Sequence, residues 1–178
     1  MTHNNNQALS ADRKLRLFTA LWPEETIRQR IVDYRASQHW MRGVRTVSDA
    51  NLHVTLTFLG DVSPALLPAL TDRLGSMRCT PFELWFDRIE GWGDGLVVLC
   101  PQAIPAELIL LHERLQAVQA ELGLPVESRP YRPHITLARR AGGSVVNPPA
   151  APIQWRVREF VLARSEPPGV YQVLHAFA

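Results

Sequence analysis

One tetrapeptide pattern occurs twice in this chain, at His53-Val54-Thr55-Leu56 and again at His134-Ile135-Thr136-Leu137. Each copy lies in a strand-like run that follows an amphipathic helical stretch, so the chain reads as an internal duplication. Side chains two apart on a strand share a face. His53 and Thr55 therefore project together, while Val54, Leu56 and Phe58 turn toward apolar packing. His134 and Thr136 divide from Ile135 and Leu137 in the same way. Two halves related by approximate two-fold symmetry would bring the strands together and leave a cleft lined by two imidazoles and two hydroxyls.

The remaining elements support that frame. Leu15–Trp22 reads as a buried strand, and Pro23-Glu24-Glu25 opens a helix with Ile27, Ile31 and Tyr34 inward and Arg28, Arg30 and Arg35 outward. The strand Asn51–Gly60 carries the first motif, and Ser63-Pro64 starts a second helix with a stripe of Leu66, Leu67, Leu70 and Leu74. Phe82–Ile89 and Leu96–Cys100 are strands around the glycine-rich turn at 91–95, and Pro105 opens a third helix that Gly123 stops. The second motif lies in a strand over Pro130–Arg139; Gln154–Ala163 and Val170–Ala176 close the chain as a hairpin. The order β-α-β-α-β-β-α-β-β-β predicts an α+β fold with mostly antiparallel sheet, and the repeated motif adds two symmetry-related lobes, a bilobal fold of duplicated antiparallel sheets with helices outside and a central cleft. Residues 1–14 read as a disordered polar tail and 15–178 as a single domain.

Composition excludes several classes. At 178 residues, 46% hydrophobic and 20% charged, the chain can bury a core without staples. A net charge of +2 is too small for a protein that coats nucleic acid, so a polyanion would be held by a local patch. Lys14 is the lone lysine among 19 basic residues, and arginine suits paired contacts to phosphate as well as a GC-rich genome. Cys79 and Cys100 form no disulfide framework, which fits a cytoplasmic location. No secretory or membrane-spanning segment is read, and nothing demands more than a monomer.

Two strand-borne histidines and two threonines match the needs of phosphodiester hydrolysis. A neutral imidazole can take a proton from water while an imidazolium protonates the departing oxygen, and an ordinary pKa of about 6.5 lets both states coexist. Threonine hydroxyls can donate to the non-bridging oxygens. No H-x-x-x-H, H-E-x-x-H or Cys/His cluster is present, and no G-x-x-x-x-G-K-[ST] or G-x-G-x-x-G. No metal and no other cofactor is expected.

With NLHVTLTFLGDV, RPYRPHITLARR and the opening LRLFTAL in view, the chain resembles the two-histidine phosphoesterase superfamily. The closer resemblance is to its RNA 2′,3′-cyclic phosphodiesterase branch, also called 2′–5′ RNA ligases. It covers the chain from Leu15 onward. It implies metal-free hydrolysis of RNA 2′,3′-cyclic phosphate ends to 2′-phosphomonoesters, with reverse 2′–5′ joining of tRNA halves in some members. By the same resemblance His53 is the proton donor, His134 the acceptor, and Thr55 and Thr136 contact phosphate. Arg139 matches an arginine that comes after the second motif. Strand parity instead puts Arg140 on the face of His134, and a bulge or strand end at Ala138 would reconcile the two.

The loop Ser165-Glu166-Pro167-Pro168-Gly169 lacks the arginines often found there in relatives, so short cyclic-phosphate ends or mononucleotides are the implied ligands. Trp92 and Tyr131 are candidates for stacking on a base or for packing, with Trp92 the more exposed. Arg132, like Arg42, Arg45 and Arg129, is a candidate RNA contact or a solvated surface residue. His39, His112 and His175 lack a polar partner on their face, and His112 is read as exposed. The motifs leave open other superfamily reactions, on ADP-ribose cyclic phosphate or RNA 3′ ends, and a non-catalytic module that binds RNA ends or nucleotides.

Overall fold

A computed structural model describes residues 13–93, 95–167 and 169–178. The tail expected over residues 1–14 lies outside the described residues as far as residue 12. The described elements are β1 (Leu15–Leu21), α1 (Glu25–Ala36), β2 (Arg45–Thr46), β3 (Val54–Val62), α2 (Leu67–Gly75), β4 (Phe82–Trp92), β5 (Leu96–Pro101), α3 (Ala106–Glu121), β6 (Ile135–Arg139), β7 (Ile153–Val157), β8 (Phe160–Glu166) and β9 (Val170–Phe177). The fold is α+β, and every strand pairing is antiparallel.

The strands form one curled sheet in the order β7-β4-β5-β6-β3-β1-β8-β9, with β2 added beside β6. The two motif strands, β3 and β6, are neighbours at its centre, with three strands flanking each side of that pair. The duplicated sheets expected from the repeated motif are thus joined edge to edge in a single sheet. Helix residues Ile27, Ile31, Leu70, Leu74, Leu108 and Leu115 pack with Val54, Leu56, Ile135 and Leu137 in one core. Each large apolar side chain fully buried there contributes about 1.5–3 kcal/mol.

Three sequence-level boundaries move. The expected strand Gln154–Ala163 is two strands, because Arg158 and Glu159 are exposed and β7 and β8 lie on opposite sides of the sheet. In β7 Ile153, Trp155 and Val157 alternate inward, whereas Phe160 to Ala163 are all buried. That change from alternation to a continuous run distinguishes a strand covered on one face from one covered on both. The strand expected from Pro130 begins only at Ile135, since Pro130 and Pro133 offer no N–H to a ladder. Strand β4 runs on to Trp92, so this residue ends a strand rather than sitting in the glycine turn.

Arg35 also departs from expectation. It is 8% exposed rather than outward-facing, and its guanidinium donates to the Val47 carbonyl and pairs with the Asp49 carboxylate. This anchors the segment that leads into His53.

Candidate active site

Both histidines sit one residue ahead of their strands, half-buried, with Val54 and Ile135 paired across the sheet centre. Extending that antiparallel register one step each way sets Thr55 opposite His134 and Thr136 opposite His53. The histidines are then diagonal neighbours on one face, their β-carbons somewhat closer than the roughly 7–8 Å between diagonal positions of an antiparallel pair.

Each ring is oriented by the same local device. The His53 Nδ1–H donates to the Asn51 carbonyl (2.6 Å), and the His134 Nδ1–H donates to the Arg132 carbonyl (2.7 Å). In the neutral rings Nε2 therefore carries the lone pair. The His53 Nε2 also lies 3.0 Å from the Thr55 hydroxyl. Aromatic rings hold His53 on three sides: Trp22 stacks on it at 5.3 Å, with Phe18 at 5.2 Å and Tyr171 at 5.4 Å. His134 instead meets Trp92, with ring centroids 4.4 Å apart.

A cavity of about 490 Å³ contains both histidines, Thr55, Thr136 and Arg139, with Arg16 and Arg45 on its walls. A second cavity of about 410 Å³ shares Thr55, Phe58 and His134 with the first and is walled by Trp92, Tyr131 and His112. Burial is the main cause that holds His53 down to about 4, with lesser contributions from the positive charge of His134 and Arg139. His134 is lowered as well, chiefly by burial. An anion between the rings favours their protonated forms and opposes both effects. Following the ring Cε1–H by NMR is therefore expected to show His53 titrating near 4 in the free protein and closer to neutrality with inorganic phosphate present. An unmoved titration would mean that the anion binds elsewhere.

Arg139, and not Arg140, shares the cavity with the histidines. The reason is a bulge at Leu137: β6 pairs Thr136 with Val98 and Ala138 with Val97, skipping Leu137 and reversing the facing of the residues after it. Arg140 then turns off the strand with φ 55°. The backbone at Ala141 and Gly142 passes so close to Gly95 that a β-carbon there would lie 2.7 Å from the Gly142 nitrogen. A matching bulge at Leu56 leaves Thr57 buried and Phe58 58% exposed on the cleft side, against the apolar packing expected for Phe58. Phe58 and Arg139 thus occupy equivalent positions in the two copies, one apolar and one cationic.

A model of the 2′-5′ RNA ligase superfamily matches residues 23–168. The chain belongs to this superfamily. It is 37% identical over 152 residues to the RNA 2′,3′-cyclic phosphodiesterase of Escherichia coli K12, covering 84% of this chain and 86% of that one. It is 36% identical over 182 residues to the protein of the same name from Thermus thermophilus, covering 92% and 90%. The crystal structure of E. coli LigT complexed with 3′-AMP superposes with a TM-score of 0.85 at 34% identity, covering 93% of this chain and 98% of that one.

In this superfamily member the remaining predicted contacts are differently engaged. Tyr131 stacks on His112 at 4.0 Å and donates its hydroxyl to the Thr55 carbonyl, so it forms a wall of the second cavity. His112 is half-buried rather than exposed, and its Nδ1 lies 2.9 Å from the Leu56 carbonyl, tying α3 to β3. Arg132 pairs with Glu90 and lies over the Trp92 ring at 4.4 Å. Arg45 lines the first cavity and Arg129 the second, whereas Arg42 lines neither. Reading by motif missed Arg16, which is brought to the cleft by β1, and Glu90. The sole signal for Arg16 was its place in the first strand-like run, and β1 pairs it with Asp61, beyond the first motif.

Proposed function

We propose that this protein hydrolyses RNA 2′,3′-cyclic phosphate ends, or the corresponding short nucleotides, to 2′-phosphomonoesters. The observation that carries this reading is the meeting of His53 and His134 in one cleft on neighbouring strands. Water enters on the His134 side, and Nε2 of that ring removes its proton as the oxygen attacks phosphorus. The bond from phosphorus to O3′ breaks, and protonated His53 delivers a proton to O3′, leaving phosphate on O2′. Thr55 and Thr136 donate to the non-bridging oxygens, where charge accumulates. Arg139, Arg45 and Arg16 supply the positive field that favours the anion. Every proton moves between groups of the chain, the water and the nucleotide, so the step needs no metal.

The same groups keep their roles when a 5′-hydroxyl replaces water: His134 takes its proton, the bond from phosphorus to O3′ breaks, His53 protonates O3′, and a 2′–5′ linkage results. The second cavity opens beside His134 and favours this as an accessory activity, with room for the nucleoside that bears the 5′-hydroxyl. The buried thiols of Cys79 and Cys100 suit a reducing cytoplasm. Among the described residues no helix is long and apolar enough to cross a membrane.

The test is turnover of nucleoside 2′,3′-cyclic phosphates with and without EDTA across pH. Expected are a 2′-phosphate product, indifference to EDTA, and a bell-shaped profile requiring one protonated and one neutral ring. A 3′-phosphate product or dependence on a metal would refute the mechanism. Equal turnover of ADP-ribose cyclic phosphate would overturn the choice of RNA ends as substrate, and binding without turnover would indicate a recognition module.

A further inference from the structure

We propose that Glu90, which lies on β4 outside both cavities, is a positioning residue for His134: its carboxylate holds Trp92 and Arg132 together and so fixes the ring. The contacts close a circuit. The Trp92 Nε1–H donates to Glu90 Oε2 at 2.7 Å, and the Arg132 guanidinium pairs with the same oxygen. Arg132 lies over the Trp92 ring at 4.4 Å, and the Trp92 ring meets His134 at 4.4 Å with the planes 61° apart. The His134 Nδ1–H completes the circuit by donating to the Arg132 carbonyl. Two neighbours therefore grip the imidazole, one in an edge contact between the rings and one at Nδ1, and one carboxylate holds both. His53 is held by Phe18, Trp22 and Tyr171, none of which brings a charge.

The arrangement has a chemical consequence for the second histidine alone. Arg132 and Arg139 face His134 with positive charge, protonated His53 adds a third, and Glu90 is the negative group that offsets them. Glu90 is itself held below the usual carboxylate range by the Trp92 hydrogen bond and by Arg132. Without the carboxylate, Arg132 is unbalanced and free to leave the Trp92 face, and His134 loses both its orientation and part of its basicity. The inference rests on His134 serving as the proton-transfer group proposed above.

The experiment compares wild type with Glu90→Gln, Glu90→Ala and the double variant Glu90→Gln/Arg132→Gln. Glutamine keeps an acceptor for Trp92 but abolishes the ion pair; alanine removes both. Two quantities are read: the NMR titration of the His134 ring, and kcat and KM for a nucleoside 2′,3′-cyclic phosphate. In Glu90→Gln the His134 titration is expected to move to lower pH. Its kcat is expected to fall roughly five- to tenfold, a fraction of the about 10²–10⁴-fold general acid–base contribution, with KM changed by less than about twofold. Glu90→Ala is expected to fall further. Removing both charges should return the titration toward wild type without restoring kcat, because no guanidinium then lies over the Trp92 ring to hold it against His134. A titration and kcat like wild type in both folded single variants would overturn the proposal. So would a kcat loss that tracks thermal stability while the titration stays fixed. Should wild type fail to turn over cyclic phosphates while the Glu90 variants still displace the His134 titration, the functional reading falls and the positioning role stands.

Discussion

Alanine in place of His134 is expected to lower turnover of a 2′,3′-cyclic nucleotide by about 10²–10⁴-fold while leaving the protein folded and able to bind a 2′-phosphate product. The half-buried ring contributes little to the core on which the sheet depends, and its neighbours Pro133 and Ile135 carry the local burial. His53→Ala is expected to lose a similar factor. The double variant should lose far less than the product of the two, because an acid and a base that act in one proton-transfer event are strongly non-additive. Steady-state kinetics alongside calorimetric product binding checks each part. A loss confined to KM, with kcat intact, would assign the rings to binding rather than proton transfer.

The second large effect is expected at the threonines. Valine keeps the branched shape that suits a strand but lacks the donor, so Thr55→Val and Thr136→Val remove one hydrogen bond each without disturbing the fold. Loss of one preorganised donor to developing charge is expected to cost about 10²–10³-fold in kcat. Serine at either position should restore most of it, since the hydroxyl returns. Thr55 is expected to be the more sensitive, because its hydroxyl also meets the His53 Nε2 at 3.0 Å. Losses below about threefold in both valine variants would transfer the charge-stabilising role to Arg139, Arg45 and Arg16.

The duplicated motif was enough to read that His53 and His134 share one cleft, because strand parity and repetition are local properties of sequence. What it concealed came from features with no local signature. The bulges at Leu56 and Leu137 reverse side-chain facing partway along each motif strand, which is why Phe58 reaches the cleft and why Arg139 rather than Arg140 faces the histidines. An alternating pattern contains no record of a skipped residue, because a bulge is decided by the partner strand. Arg35 reads as outward on a helical wheel, yet it turns in to meet a carbonyl and a carboxylate 12 and 14 residues away. Glu90 and Arg132 lie 42 residues apart, and nothing near either one announces the other. The break between β7 and β8 was the exception. Alternation up to Val157 and then four consecutive apolar residues from Phe160 mark it in the sequence itself.

Strands β3 and β6 exchange a single residue pair, Val54 with Ile135, whereas the pairings beyond them run for several residues. Backbone adhesion is thus weakest where the two histidines meet, and the distance between them is inherited from how firmly each half is packed on its own helices. Substitutions in the cores beneath α1 or α3, far from any reacting atom, would then act on rate by changing the width of that seam.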